Sequence, residues 1–200
     1  MSRLNHLGLP RFVARSTSDE VLPWFAIELI DGPPLSSTDA RDLTHQKLLE
    51  CALEVCDTLG YLHRQGIIHR DVKPSNILVD SDGCARLIDL GIARRTQLDW
   101  TVAGSVMGTP TFMSPEQAVD PRNVDARSDL YSLGLCLFAL STRRTAMELG
   151  YAHLRDEALT HVPDSFRDLV DRATKADPNE RFQDDRSFQD ALAEALEKVS

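Results

Sequence analysis

Apolar residues recur along the chain with two spacings, and the switches between them mark out its elements. Over residues 44–65, Leu48, Leu49, Ala52, Val55, Cys56, Leu59 and Leu62 keep the i, i+3, i+4, i+7 spacing of one helix face. An amphipathic helix is expected there, with Gly66 placed for its C-terminal cap. Short aromatic and β-branched runs read as strands. One covers residues 24–30 and stops at Asp31, Gly32, Pro33 and Pro34; two more, 77–79 and 85–88, flank Asp80, Ser81, Asp82 and Gly83 as strands joined by a tight turn. Asp-x-Asp-Gly also opens calcium loops, but the later oxygen ligands and closing glutamate of such a loop do not follow. Residues 127–141 are apolar on nearly every side, which marks a helix buried at the centre, and Asp129 within it requires hydrogen-bond partners. Two further helical faces follow: Phe166, Leu169, Val170 and Ala173, ended by Asp177 and Pro178, then Phe188, Leu192, Ala195, Leu196 and Val199, with Asp184 or Asp185 able to cap. Residues 92–113 carry Thr96, Thr101, Ser105, Thr109 and Thr111 without sustained periodicity and read as a loop long enough to be functional.

Composition narrows this picture only slightly. A chain of 200 residues with 42% hydrophobic and 26% charged content suits one globular domain with a real core. Its 22 basic and 31 acidic residues give a net charge of −9, which disfavours general binding to nucleic acid or anionic lipid. Cys51, Cys56, Cys84 and Cys136 form no C-x-x-C and fall inside apolar patterns, so buried free thiols in a reducing compartment are expected. The longest apolar run, 133–140, is far short of the ~20 residues a membrane span needs, and no basic-then-apolar leader opens the chain. A cytoplasmic location is the expectation.

Candidate chemistry concentrates in two segments. His69-Arg70-Asp71-Val72-Lys73-Pro74-Ser75-Asn76 supplies a carboxylate, an ammonium and an amide in close succession, and Asp89-Leu90-Gly91 adds a second carboxylate behind Leu87 and Ile88. Phosphoryl transfer uses this inventory: a carboxylate to orient and deprotonate an attacking hydroxyl, a cation near the transferring phosphate, and oxygen ligands for Mg²⁺. Taken singly, each residue has a plainer reading. Asp71 could satisfy backbone donors, Lys73 be a solvated cation, Asn76 a turn former and Asp89 a strand-end carboxylate.

Together with Ser114-Pro115-Glu116, these segments resemble the catalytic loop, metal-binding triplet and segment-end triplet of protein kinases. Lys73, two residues after Asp71, resembles the serine/threonine branch. Asp-Gly-x-x-Leu from Asp31 to Leu35, Gly108-Thr109-Pro110 and Asp-Pro-x-x-Arg-Phe from Asp177 to Phe182 resemble bacterial members. The resemblance implies an α+β, protein-kinase-like fold, with residues 1–30 a remnant of the small lobe and hinge and residues 31–200 a mostly helical large lobe. It also implies a serine/threonine kinase that transfers the γ-phosphoryl of ATP, with Mg²⁺, to Ser or Thr hydroxyls of a protein substrate. In that reading Asp71 is the positioning base, Lys73 contacts the γ-phosphate, and Asn76 and Asp89 hold Mg²⁺.

Further roles follow from the same resemblance. Ile27 becomes the gatekeeper, backbone groups of Glu28 and Ile30 meet the adenine, and Leu78 forms the floor beneath it; a plain edge strand is the other reading of residues 24–30. Thr109 belongs to the substrate platform. Thr101, and after it Ser105, are candidates for phosphorylation by a partner kinase or by the chain itself, since a phosphate there could pair with Arg70; either could equally be an unmodified loop residue. Asp129 braces His69 and Arg70, and Glu116 pairs with Arg181. The chain departs from the family twice. No G-x-G-x-x-G and no V-A-I-K-like segment occurs, and the Gly-x-x-Pro-Phe expected after the central helix is Arg143-Arg144-Thr145-Ala146-Met147, in a region that usually helps dock protein substrates. The first departure leaves a second reading, a catalytically inactive kinase-like module that presents its large-lobe surface to a partner.

Overall fold

The computed structural model describes residues 4–16, 22, 24–37, 43–89, 111–122 and 124–199. Strands β1 (Phe12–Arg15) and β2 (Phe25–Ile27) pair antiparallel, with an irregularity between Phe12 and Ala14. Helix α1 (His45–Arg64) begins where Thr44, itself extended, accepts a hydrogen bond from the Lys47 N–H on its hydroxyl (3.1 Å). It ends in a Schellman arrangement: Gly66, at φ +71°, donates its N–H to the His63 carbonyl and lets Ile67 donate to that of Leu62. A Cβ at position 66 would be strained by that φ, so glycine is the residue the cap requires.

Strands β3 (Ile77–Val79) and β4 (Ala85–Leu87) form an antiparallel hairpin with Ile77 opposite Leu87. The Asp80 carboxylate is consumed by the turn, accepting from the N–H groups of Asp82 (3.1 Å) and Cys84 (2.8 Å) and from Arg86 (2.7 Å). Strand β4 stops one residue earlier than the apolar run suggests: Ile88 still donates its N–H to the Asn76 carbonyl opposite it (2.9 Å), but the Asn76 N–H turns back to the Lys73 carbonyl (2.9 Å) and does not return the bond.

Helix α2 (Pro115–Val119) is short, and α3 (Ala126–Thr142) follows after the Asp125 side chain accepts from the Arg127 N–H. Every residue of α3 from 128 to 138 is buried. The segment after it, for which the sequence pattern predicts no element, contains α4 (Met147–Gly150) and α5 (Ala152–Thr160). Helices α6 (Arg167–Ala173) and α7 (Asp185–Glu197) close the domain, the latter capped by Asp184, whose carboxylate accepts from the Ser187 N–H (2.7 Å). Arg155 anchors α5 to α6 by donating to the Asp171 carboxylate (2.7 Å) and to the carbonyls of Asp171 (2.7 Å) and Thr174 (2.9 Å).

The architecture is α+β and mostly helical, with strand among the described residues confined to two two-stranded ladders. Helix α1 packs on α3 and α7, and α3 on α6. Leu49, Leu59 and Leu62 from α1, Leu130 and Phe138 from α3, and Phe188 and Leu192 from α7 are wholly buried. Each such side chain contributes about 1.5–3 kcal/mol through burial, which is what fixes α1 and α3 beneath the loops that follow them. Three thiols are buried as expected, and burial pushes Cys51 up to about 11 and Cys56 and Cys136 higher still. Cys84 corrects that expectation: it is exposed, because it ends the Asp80 turn ahead of the strand. Among the described residues, no helix is long and apolar enough to cross a membrane.

Candidate active site

The loop between α1 and β3 holds Asp71, Lys73 and Asn76 against one another. Lys73 Nζ donates to Asp71 Oδ2 at 2.8 Å. The Asn76 amide donates to the same oxygen at 3.0 Å and to the Asp71 carbonyl at 2.9 Å. A turn of 3₁₀ helix at Pro74–Asn76, with Pro74 at its first position, sets this geometry locally. Because both amide protons of Asn76 point at Asp71, its Oδ1 is left as an acceptor facing elsewhere.

Asp129 holds the loop from below. Its two oxygens accept from the backbone N–H groups of His69 (2.8 Å) and Arg70 (2.8 Å). That carboxylate is fully buried on α3, so its charge requires these donors and one more, the His63 ring, whose Nε2 lies 2.8 Å away. The other ring nitrogen of His63 meets Asp185 Oδ1 at 2.7 Å, joining α1, α3 and α7 at one point. Burial pulls the His63 pKa down, but the bonds to Asp129 and Asp185 outweigh it and hold the ring at about 9.

His63 and Gln117 are the supporting residues that sequence reasoning missed. Gln117 donates to the Arg70 carbonyl (2.8 Å) and ties the loop to α2. His63 left a trace in the sequence, because it follows Val55 and Leu59 at four-residue spacing on the apolar face of α1. Its raised pKa gives a measurable consequence. The stabilisation from imidazolium is complete below pH 6.5 and is lost as pH rises from 6.5 through about 9. Urea midpoints are expected to fall across that window by the equivalent of about 1–3 kcal/mol, and His63→Gln to flatten the slope. A wild-type midpoint that is level across the window would remove His63 from this role.

His69 links the two chemical segments. It is buried, and burial lowers its pKa, so the ring is neutral. Nε2 donates to the Ile88 carbonyl (3.2 Å) while Nδ1 accepts from the Asp71 N–H (3.3 Å), connecting Asp71 to the residue before Asp89. Asp89 is exposed at the end of the hairpin with φ +57°, and Arg70 has φ +67°. Left-handed backbone at residues other than glycine costs on the order of 1 kcal/mol each and concentrates where side chains must be aimed.

The remaining candidates fall as follows. Glu116 and Arg181 form a bidentate pair, 2.7 and 2.8 Å, joining α2 to the segment before α7. Ile27 and Ile30 are half-buried, Glu28 is exposed with its N–H given to the Arg11 carbonyl (2.8 Å), and Leu78 bridges to Pro34 across the start of the hairpin. Thr101, Ser105 and Thr109, with Leu90 and Gly91, lie outside the described residues.

The chain is 36% identical over 189 residues to serine/threonine-protein kinase PksC of Streptomyces coelicolor, covering 84% of this chain and 34% of the relative. It is 34% identical over 191 residues to serine/threonine-protein kinase PknB of Mycobacterium leprae, covering 84% of this chain and 29% of the relative. The chain thus spans about a third of the length of the curated relatives it matches. Its fold resembles the crystal structure of the Mycobacterium tuberculosis PknI kinase domain with a TM-score of 0.70 at 24% identity, over 97% of this chain and 74% of that one. A family model described as the protein kinase domain matches residues 1–195, so the loop around Asp71 and the buried brace beneath it sit in a chain that belongs to the protein kinase family.

Proposed function

We propose that this chain carries the phosphotransfer centre of a serine/threonine protein kinase, with residues 1–30 a small-lobe and hinge remnant and residues 31–200 the large lobe. The observation that carries the reading is the Asp71 carboxylate, held by Lys73 and Asn76 on a loop whose backbone is fixed by Asp129. In the proposed step the hydroxyl oxygen of a substrate Ser or Thr bonds to the γ-phosphorus of ATP. The bond to the bridging oxygen breaks, ADP departs with that electron pair, and the hydroxyl proton passes to Asp71. Lys73 lies beside Asp71 and would offset negative charge on the transferred group.

The residues present suit Mg²⁺. Asn76 Oδ1 is an acceptor with its amide protons already committed, and Asp89 is an exposed carboxylate with no ion-pair partner among the described residues. A hard cation held by one or two protein oxygens and by phosphates needs no larger protein cage. When bound, it neutralises charge on the phosphates. For the nucleotide, Ile27, the backbone of Glu28 and Ile30, and Leu78 are the proposed adenine contacts. The alternative of a catalytically inactive binding module gains no support from this arrangement.

Incubating the chain with Mg²⁺ and γ-labelled ATP and a mixture of Ser- and Thr-containing peptides tests the reading. Label is expected on Ser or Thr only when Mg²⁺ is present, and Asp89→Asn is expected to lower the rate by about 100-fold or more. Absence of transfer from the wild-type chain, or full activity of Asp89→Asn, would overturn it.

A further inference from the structure

Ser132 sits inside α3 with one proton and two acceptors. Its hydroxyl lies 2.7 Å from the Phe112 carbonyl and 3.0 Å from the Ser128 carbonyl, one turn back along its own helix. A serine hydroxyl donates a single bond, so the two are alternatives. Donation to the carbonyl four residues earlier is what a serine inside a helix does by default, and it needs nothing outside α3. The bond to Phe112 is the one that reaches another segment, 20 positions away in sequence.

The neighbours of Ser132 show what that bond holds. Ser128 donates to the Glu116 carboxylate (2.7 Å), and Asp129 accepts from the backbone N–H groups of His69 and Arg70 (2.8 Å each). Residues 128, 129 and 132 lie within about one turn of α3. A single stretch of helix therefore fixes the loop that carries Asp71, the first turn of α2 and, through Ser132, the backbone of Phe112 ahead of α2. Phe112 lines the same hollow as Lys73, which is bonded to Asp71. Ser132 is buried, so bulk water does not compete for its proton.

We infer that Ser132 is a positioning residue: its hydroxyl docks the Phe112 backbone against α3 and so sets where the segment around Phe112 stands relative to Asp71. When that segment leaves, the proton returns to the Ser128 carbonyl and no donor is stranded in the interior. Docking is thus a balanced two-state element, and a transfer step that depends on placement responds to its population. The inference rests on the phosphotransfer reading for its effect on rate, but docking can be measured without ATP.

Hydrogen exchange and steady-state kinetics of the full chain test it, with Ser132→Ala and Ser132→Cys. Alanine removes the bond to Phe112 and leaves the helix intact, since it is the better helix former. Amides of residues 111–116 are expected to exchange about fivefold faster in Ser132→Ala, the equivalent of one neutral hydrogen bond, with those of α1 unchanged. The kcat/KM for a Ser peptide should fall about fivefold while KM for ATP and the melting temperature hold, and Ser132→Cys, with a weak thiol donor, should lie between. Unchanged exchange at 111–116 would overturn the inference. Faster exchange in α1 as well, with a lower melting temperature, would also overturn it, because Ser132 would then serve packing alone. The local exchange effect in a chain that transfers no phosphate would sink only the phosphotransfer reading; transfer with kcat/KM unaltered in Ser132→Ala would sink only the assignment of Ser132.

Discussion

Replacing Arg181 with alanine is expected to lower the free energy of unfolding by about 3–5 kcal/mol, the range for removing one partner of a buried ion pair. The Arg181 side chain is fully buried, and its guanidinium lies over the Tyr131 ring at 4.6 Å. It donates to both Glu116 oxygens and to the carbonyls of Lys175 (2.7 Å) and Ala176 (2.9 Å). Alanine would leave the Glu116 carboxylate with Ser128 as its one remaining side-chain donor, at 2.7 Å, and would strand both carbonyls in the interior. Replacing both partners with apolar residues of similar volume, Glu116→Leu with Arg181→Met, should cost less than the single change, because no charge is then left unpaired.

The same pair has a pH dependence of known sign. Burial raises the Glu116 pKa, but Arg181 and Ser128 more than reverse this and hold it at about 2. Its contribution is therefore present above pH 4.5 and lost as pH falls from 4.5 through about 2. Urea titrations of wild type and Arg181→Ala should differ most near neutral pH and converge in acid. A difference under about 1 kcal/mol at neutral pH would mean that the pair does not hold α2 to the domain.

Elements whose determinants are local were legible in the sequence. Thr44 and Gly66 bracket α1 within one turn of its ends, and the Asp80 turn closes on itself. Asp71, Lys73 and Asn76 lie on one short loop, so the central constellation could be read as a string. What escaped was long-range. His63 shows as a polar residue on an apolar stripe, but its partners Asp129 and Asp185 lie 66 and 122 positions away, and nothing local names them. Helices α4 and α5 are short, with no sustained apolar face, and Arg155 secures α5 through carbonyls on α6 and just beyond it that only the folded chain brings near. Position 143 was visible as a departure from glycine, while its left-handed backbone, φ +59° at the end of α3, was not.

The second large effect concerns catalysis. Asp71→Asn preserves the shape of the side chain and an oxygen for Lys73 but removes the basic carboxylate, so phosphate transfer should fall by about 10²–10⁴-fold. The loop should keep its place, because Asp129, His69 and Gln117 hold it through backbone groups that this change leaves intact. Stability and rate therefore separate at this residue, as they do not at Arg181. The decisive measurement is the rate of γ-phosphoryl transfer from Mg²⁺·ATP to a Ser peptide by the wild-type and Asp71→Asn chains, each with its thermal melt. The expected result is a rate lower by at least about 100-fold with melting temperatures within about 3 °C of each other. An Asp71→Asn chain that folds equally well and transfers phosphate at the wild-type rate would contradict the role given to this carboxylate.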